Sequence, residues 1–184
     1  MVRKISSLMV MMLFIGVGLV SCKKEPKTDS DSEVITVEGN DDYNKTDAYS
    51  EVEFSDKNVQ MIYHNYLSVK AAMVNSSSGT VQKEAAKMAE TSKGYKEMRA
   101  TAKLISLTKD IDKQRDFFAA LTEEVEKILT STAIVSGEVY KQYCPMAFDG
   151  NGGYWFSNSK EIRNPYYGTK MLECGEVNAV LKRE

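Results

Sequence analysis

Cys144 and Met146 stand two residues apart in the stretch QYCPMA, and Met171 and Cys174 stand three apart in KMLECG. Thiolates and thioethers are soft, polarisable donors. Two of each select a monovalent coinage ion, Cu(I) or Ag(I), over magnesium or calcium. Zinc takes histidine or further thiolates before thioethers. Pro145 restricts the backbone between Cys144 and Met146. Met171 and Cys174 have the spacing of one helical turn, which would aim both sulfurs the same way. Trp155, or Tyr154 beside it, would shield a monovalent cation through a cation–π contact. His64 is the only histidine in the chain and, with Met61 one turn earlier, is a further candidate ligand.

The same two cysteines support a second chemistry. In an oxidising compartment a pair of cysteines is most simply a disulfide. A Cys144–Cys174 bridge would close a loop of thirty residues, worth about 3–4 kcal/mol in the chain-entropy view. Methionine is also an ordinary core filler, so spacing alone leaves both chemistries open.

Other site chemistries fail on their residues. DGNGGYWFSNSK begins like a calcium loop, but Tyr154 stands at its sixth position and Lys160 at its twelfth. That loop needs glycine and a bidentate glutamate there. No phosphate-cradling glycine loop, nucleophile elbow or zinc-protease helix is present. His64 lies about 140° around a helix from Val59, off the apolar face, which suits a solvated side chain better than a general base. Glu161, Arg163 and Asn164 read as hydrogen-bond partners of an irregular backbone. No enzyme is expected.

The first residues are an address. Arg3 and Lys4 precede an apolar run from Leu8 to Val20, too short to span a bilayer comfortably as a helix. The run ends in LVSC, Leu19 to Cys22, which resembles the lipobox of bacterial lipoproteins. That resemblance implies cleavage of residues 1–21 and lipidation of Cys22. It also implies a membrane partner through the lipid anchor, in the envelope of a Gram-negative bacterium and facing the periplasm. Residues 22–53 follow as an acidic tether. Positions 23–53 carry four lysines against ten carboxylates and too little apolar surface to offset the entropy of ordering. Removing the leader shifts the net charge from −2 to −4, which excludes the basic balance expected of a nucleic-acid binder.

Residues 54–184 form the expected domain, mainly α: an up-down bundle of about four helices with a small irregular/β cap at the C-terminus. From Ser55 to Val74 the period places Val59, Ile62, Tyr63, Tyr66, Leu67, Met73 and Val74 on one face. Ser55 or Asp56 would cap that helix. The second helix is expected from about Thr80 to Ser92, the third from Tyr95 to Leu107 and the fourth from about Lys109 to Ala133. The second and third could also join as one kinked helix. From about residue 138 the pattern changes: EVYKQYC alternates as a strand, DGNGG is turn chemistry and YWF is a short strand. Aromatics crowd this segment and would cap an open end of the bundle.

The segment from Val139 to Val177, with its IRNPYYG and KMLECG elements, resembles the family called domain of unknown function 3347. The helical body fits it too, extending the resemblance to roughly residues 56–181. Members resemble periplasmic lipoproteins, and the same domain occurs fused to membrane-fusion adaptors of copper and silver efflux pumps. YCPM is similar to the short metal-binding segment of those adaptors, although Ala147 stands where that segment has histidine. The resemblance implies genomic company with copper handling; joined to the soft donor set read from the spacing, it favours a membrane-anchored lipoprotein that binds Cu(I) or Ag(I) at Cys144, Met146, Met171 and Cys174. It would serve as an accessory to efflux or homeostasis, with an efflux adaptor as partner. The alternative is a non-catalytic interaction module of the periplasm stapled by Cys144–Cys174.

Overall fold

The computed structural model describes residues 51–183. The expected leader, the expected lipidation site Cys22 and most of the expected tether lie outside the described residues.

Four helices form the body: α1 (Lys57–Val74), α2 (Ser78–Thr91), α3 (Lys96–Leu107) and α4 (Ile111–Ser131). Aspartates set two of their starts. Asp56, not Ser55, accepts from the backbone N–H groups of Asn58 at 2.7 Å and Val59 at 3.4 Å. Asp110 does the same for Asp112 and Lys113 at the head of α4. Each carboxylate thus satisfies donors that have no partner in the first helical turn. The chain breaks between α2 and α3, where the Tyr95 N–H donates to the Ser92 carbonyl at 3.0 Å. These are therefore two helices and not one kinked helix. Successive helices pack side by side and α1 also meets α4, closing the bundle. No helix among the described residues is long and apolar enough to cross a membrane.

The face expected on α1 is buried, and so are Val69, Lys70 and Ala72. The extra strip exists because the C-terminal segment covers a second side of α1. Tyr66 joins the layers: its ring stacks on Phe118 of α4 with centroids 5.1 Å apart. Its hydroxyl shares a hydrogen bond with Thr122 at 2.9 Å and accepts from the Phe156 N–H at 3.1 Å. Lys70 buries its ammonium against the Ser157 hydroxyl at 3.1 Å.

Two small sheets complete the fold. β1 (Glu53–Phe54) pairs antiparallel with β2 (Ile134–Ser136). The second sheet runs β4-β3-β5, all antiparallel, with β3 at Glu138–Cys144, β4 at Gly153–Ser157 and β5 at Glu176–Lys182. β3 and β4 match the strands read from the sequence, whereas β1, β2 and β5 were not anticipated. Between β3 and β4, Phe148 and Asp149 sit at φ 53° and 57°, so the turn there is left-handed and not a helix.

Candidate functional site: a thiol pair beneath a cross-braced loop

β3 ends at Cys144, paired with Gly153 of β4. Alternation along β3 turns Cys144 inward with Gln142, and its side chain is fully buried. Cys174 lies thirty residues on and is half-buried. Its Sγ stands 2.7 Å from Cys144 Sγ, and both are free thiols. A disulfide holds its sulfurs at about 2.05 Å. Two thiolates sharing an ion, at metal–sulfur bonds of about 2.3 Å, stand about 3.5–4 Å apart. The pair is thus in contact, between those two separations.

Residues 158–175 put Cys174 there. They form a loop over the sheet with little regular structure, and three buried side chains brace it. Asn164 is the first. Its Nδ2 donates to the Cys174 carbonyl at 2.8 Å, and its Oδ1 accepts from the N–H groups of Tyr166 at 2.8 Å and Tyr167 at 3.2 Å. Its own backbone N–H donates to the Leu172 carbonyl at 2.8 Å, and its carbonyl accepts from Gly168 at 3.0 Å. Gln142 is the second: Nε2 donates to the carbonyls of Ser159 and Glu161, and Oε1 accepts from the Trp155 indole N–H at 2.6 Å. Arg115 of α4 is the third, donating from Nε to the Pro165 carbonyl at 3.0 Å and from Nη2 to the Ser76 hydroxyl at 2.9 Å. A buried arginine fork with all arms engaged fixes the loop to the bundle.

Two glycines permit the close approach. Gly168 has φ +57°, and a Cβ there would sit 2.7 Å from the Val74 carbonyl oxygen. Gly175, next to Cys174, has φ +146°, and a Cβ there would meet the Trp155 ring at 2.8 Å. Only glycine lets the backbone lie so near at those angles.

The four sulfur residues do not share one environment. Met146 is 53% exposed and sits at the rim, where its carbonyl accepts from the Tyr167 hydroxyl at 2.5 Å. Met171 is half-buried and non-helical, at φ −148°. The Cys174 N–H donates to the Met171 carbonyl at 3.1 Å, so a tight turn replaces the helical turn read from the spacing. Pro165 and the glycines keep this stretch out of a helix. Trp155 is fully buried with its N–H paired, and its ring lies against the backbone beside Cys174. The Tyr154 ring already has Lys141 Nζ at 4.5 Å and Tyr143 at 4.5 Å between centroids, so its face serves the protein's own cation. His64 is exposed on α1. Among the described residues no three His, Cys, Asp or Glu side chains converge as a metal site. Glu161 pairs with Arg163 on the outer side of the loop.

The local field favours the neutral form of Cys174. The hydrogen bond to Cys144, then burial, pushes Cys174 from 9.0 up to about 11. Tyr167 is also raised, first by burial and then by the charges of Cys144 and Cys174, and its hydroxyl is held at the carbonyl of Met146, two residues past Cys144. Such an arrangement has two chemical outlets. The thiols can close to a disulfide with loss of two electrons and two protons. Once deprotonated, they can hold one soft ion, parting by about 1 Å to do so.

Spacing pointed to Cys144 and Cys174, and the irregular backbone pointed to Asn164. Gln142 and Arg115 escaped notice, since the partners that brace the loop lie 13 to 50 residues away. Tyr167 was visible only as one of several aromatics.

The model of the family described as "Protein of unknown function (DUF3347)" matches residues 62–137, most of the helical body. The match supports the resemblance to that family. The segment from Val139 to Val177, which carries the sulfur motifs, lies outside the matched residues. No curated protein and no solved structure matches the chain.

Proposed function

We propose, taking the family match over the helical body as premise, that this chain is a lipid-anchored envelope protein that carries Cu(I) or Ag(I) at its thiol pair. It acts as a non-catalytic accessory to metal efflux or homeostasis, anchored through Cys22 and facing the periplasm. The observation that carries this reading is the contact between a buried thiol, Cys144, and a half-exposed one, Cys174, at 2.7 Å. Exposed Met146 follows Cys144 across Pro145. The loop over the pair is already held by Asn164, Gln142 and Arg115, so the sulfurs are not needed as its main fastening. An exposed thioether two residues from a buried thiol suits capture of a soft ion. Cys174 and Cys144 would supply the two thiolates, Met146 the access and Met171 a further donor from the adjoining turn.

Anaerobic titration with Cu(I) in the presence of reductant tests this. One equivalent should be retained against a competing chelator, with large loss in Cys144→Ser and in Cys174→Ser. Unchanged stoichiometry in the double serine variant would overturn the proposal.

The 2.7 Å separation also favours a second reading, in which the pair closes as a staple of an interaction module. Closure requires an envelope thiol oxidant to accept two electrons. A free-thiol count on unreduced protein separates the readings: two free thiols support the carrier, and none supports the staple.

A further inference from the structure

We infer that two copies of this chain pair edge to edge through β5, in antiparallel register about Ala179. This rests on the outer sheet alone and stands apart from the sulfur chemistry. β5 is a sheet edge, with β3 on one side only. It is seven residues long and exposed along nearly its whole length, including Val177 at 38% and Val180 at 42%. Exposed edge strands are normally blunted by proline, by lysines along the edge or by a covering element. EVNAVLK has no proline, and its single lysine stands at the last position. The one blunting device is a register irregularity on the β3 side, opposite Lys141 and Gln142.

The occupant follows from charge. Antiparallel pairing of the strand with itself about Ala179 sets Glu176 opposite Lys182 at both ends, Val177 opposite Leu181 and Asn178 opposite Val180. Among the described residues neither Glu176 nor Lys182 has an ion-pair partner. A second copy gives each one, together with cross-strand apolar contacts and backbone bonds. The result is a continuous sheet of six strands, β4-β3-β5 followed by its two-fold mate.

Site-directed cross-linking of the full chain in the envelope tests this. Under a mild thiol oxidant, Ala179→Cys should give a covalent homodimer several-fold above the unsubstituted chain. Val135→Cys, exposed on β2, should not. Adding Glu176→Lys to the Ala179→Cys chain makes like charges face each other, so dimer yield should fall at least about fivefold. Adding Lys182→Glu to that variant should restore it. No dimer from Ala179→Cys, equal yield from Val135→Cys, a cross-link to a different protein, or no recovery in the charge swap would each overturn the inference.

Discussion

Replacing Asn164 by alanine should both destabilise the domain and free Cys174. The substitution removes three hydrogen bonds of the buried amide, to the Cys174 carbonyl and from the N–H groups of Tyr166 and Tyr167. The Tyr166 N–H is buried and would be left without its acceptor, at a cost of about 1–3 kcal/mol. The other two groups are partly buried, and losing each bond costs about 1 kcal/mol. The total is about 3–5 kcal/mol, a large share of the 5–15 kcal/mol that typically holds a domain of this size. At a urea slope of about 2 kcal/mol/M the unfolding midpoint of the reduced protein should fall by about 1.5–2.5 M. The second readout is chemical. Asn164 fixes the carbonyl of Cys174, so its loss should raise the rate at which a thiol reagent modifies Cys174 by at least about tenfold, equivalent to about 1.4 kcal/mol of lost restraint. Asn164→Asp keeps the acceptor but sets a carboxylate oxygen against the Cys174 carbonyl, and should be no more stable than the alanine variant. A midpoint within about 0.25 M of the parent, or an unchanged Cys174 rate, would refute the bracing role.

Two further outcomes follow from the same geometry. The thiol of Cys174 is raised from 9.0 to about 11, so the folded chain keeps a proton that the unfolded chain releases between those values. This contribution to stability is complete below about pH 9 and lost as pH climbs through about 11. Urea midpoints of reduced protein should fall across that window, and Cys174→Ser should fall less; parallel curves would contradict the raised thiol. Tyr66→Phe keeps the ring stacked on Phe118 but removes the hydroxyl that links Thr122 and the Phe156 N–H. It should cost about 1–2 kcal/mol in denaturant unfolding, and a neutral result would show that the hydroxyl does not join α1 to β4.

Much of the fold was legible because helices announce themselves locally. Asp56 and Asp110 cap the helices they precede, and the buried set from Val59 to Met73 follows the 3.6-residue period. The strands were legible where they alternate or carry aromatics, as in EVYKQYC and YWF. β1 and β2 are two and three residues long, below any usable period, and exist because each completes the other. β5 is exposed on both faces, so it carries no alternation to read. The sulfur site was legible in its residue types and not in its geometry. Cys144 is placed by a strand and Cys174 by a loop whose shape depends on Asn164, Gln142 and Arg115 finding partners elsewhere. The turn at Met171 could not be separated from a helical turn by a three-residue spacing.

The proposed carrier role requires that the Cys144–Cys174 pair hold a soft ion. X-ray absorption at the copper edge, on reduced protein loaded with one equivalent of Cu(I), measures this directly. A first shell of sulfur at about 2.3 Å, lost in the double serine variant, is the predicted result. A shell of nitrogen and oxygen only, or the same sulfur shell without either thiol, would contradict it.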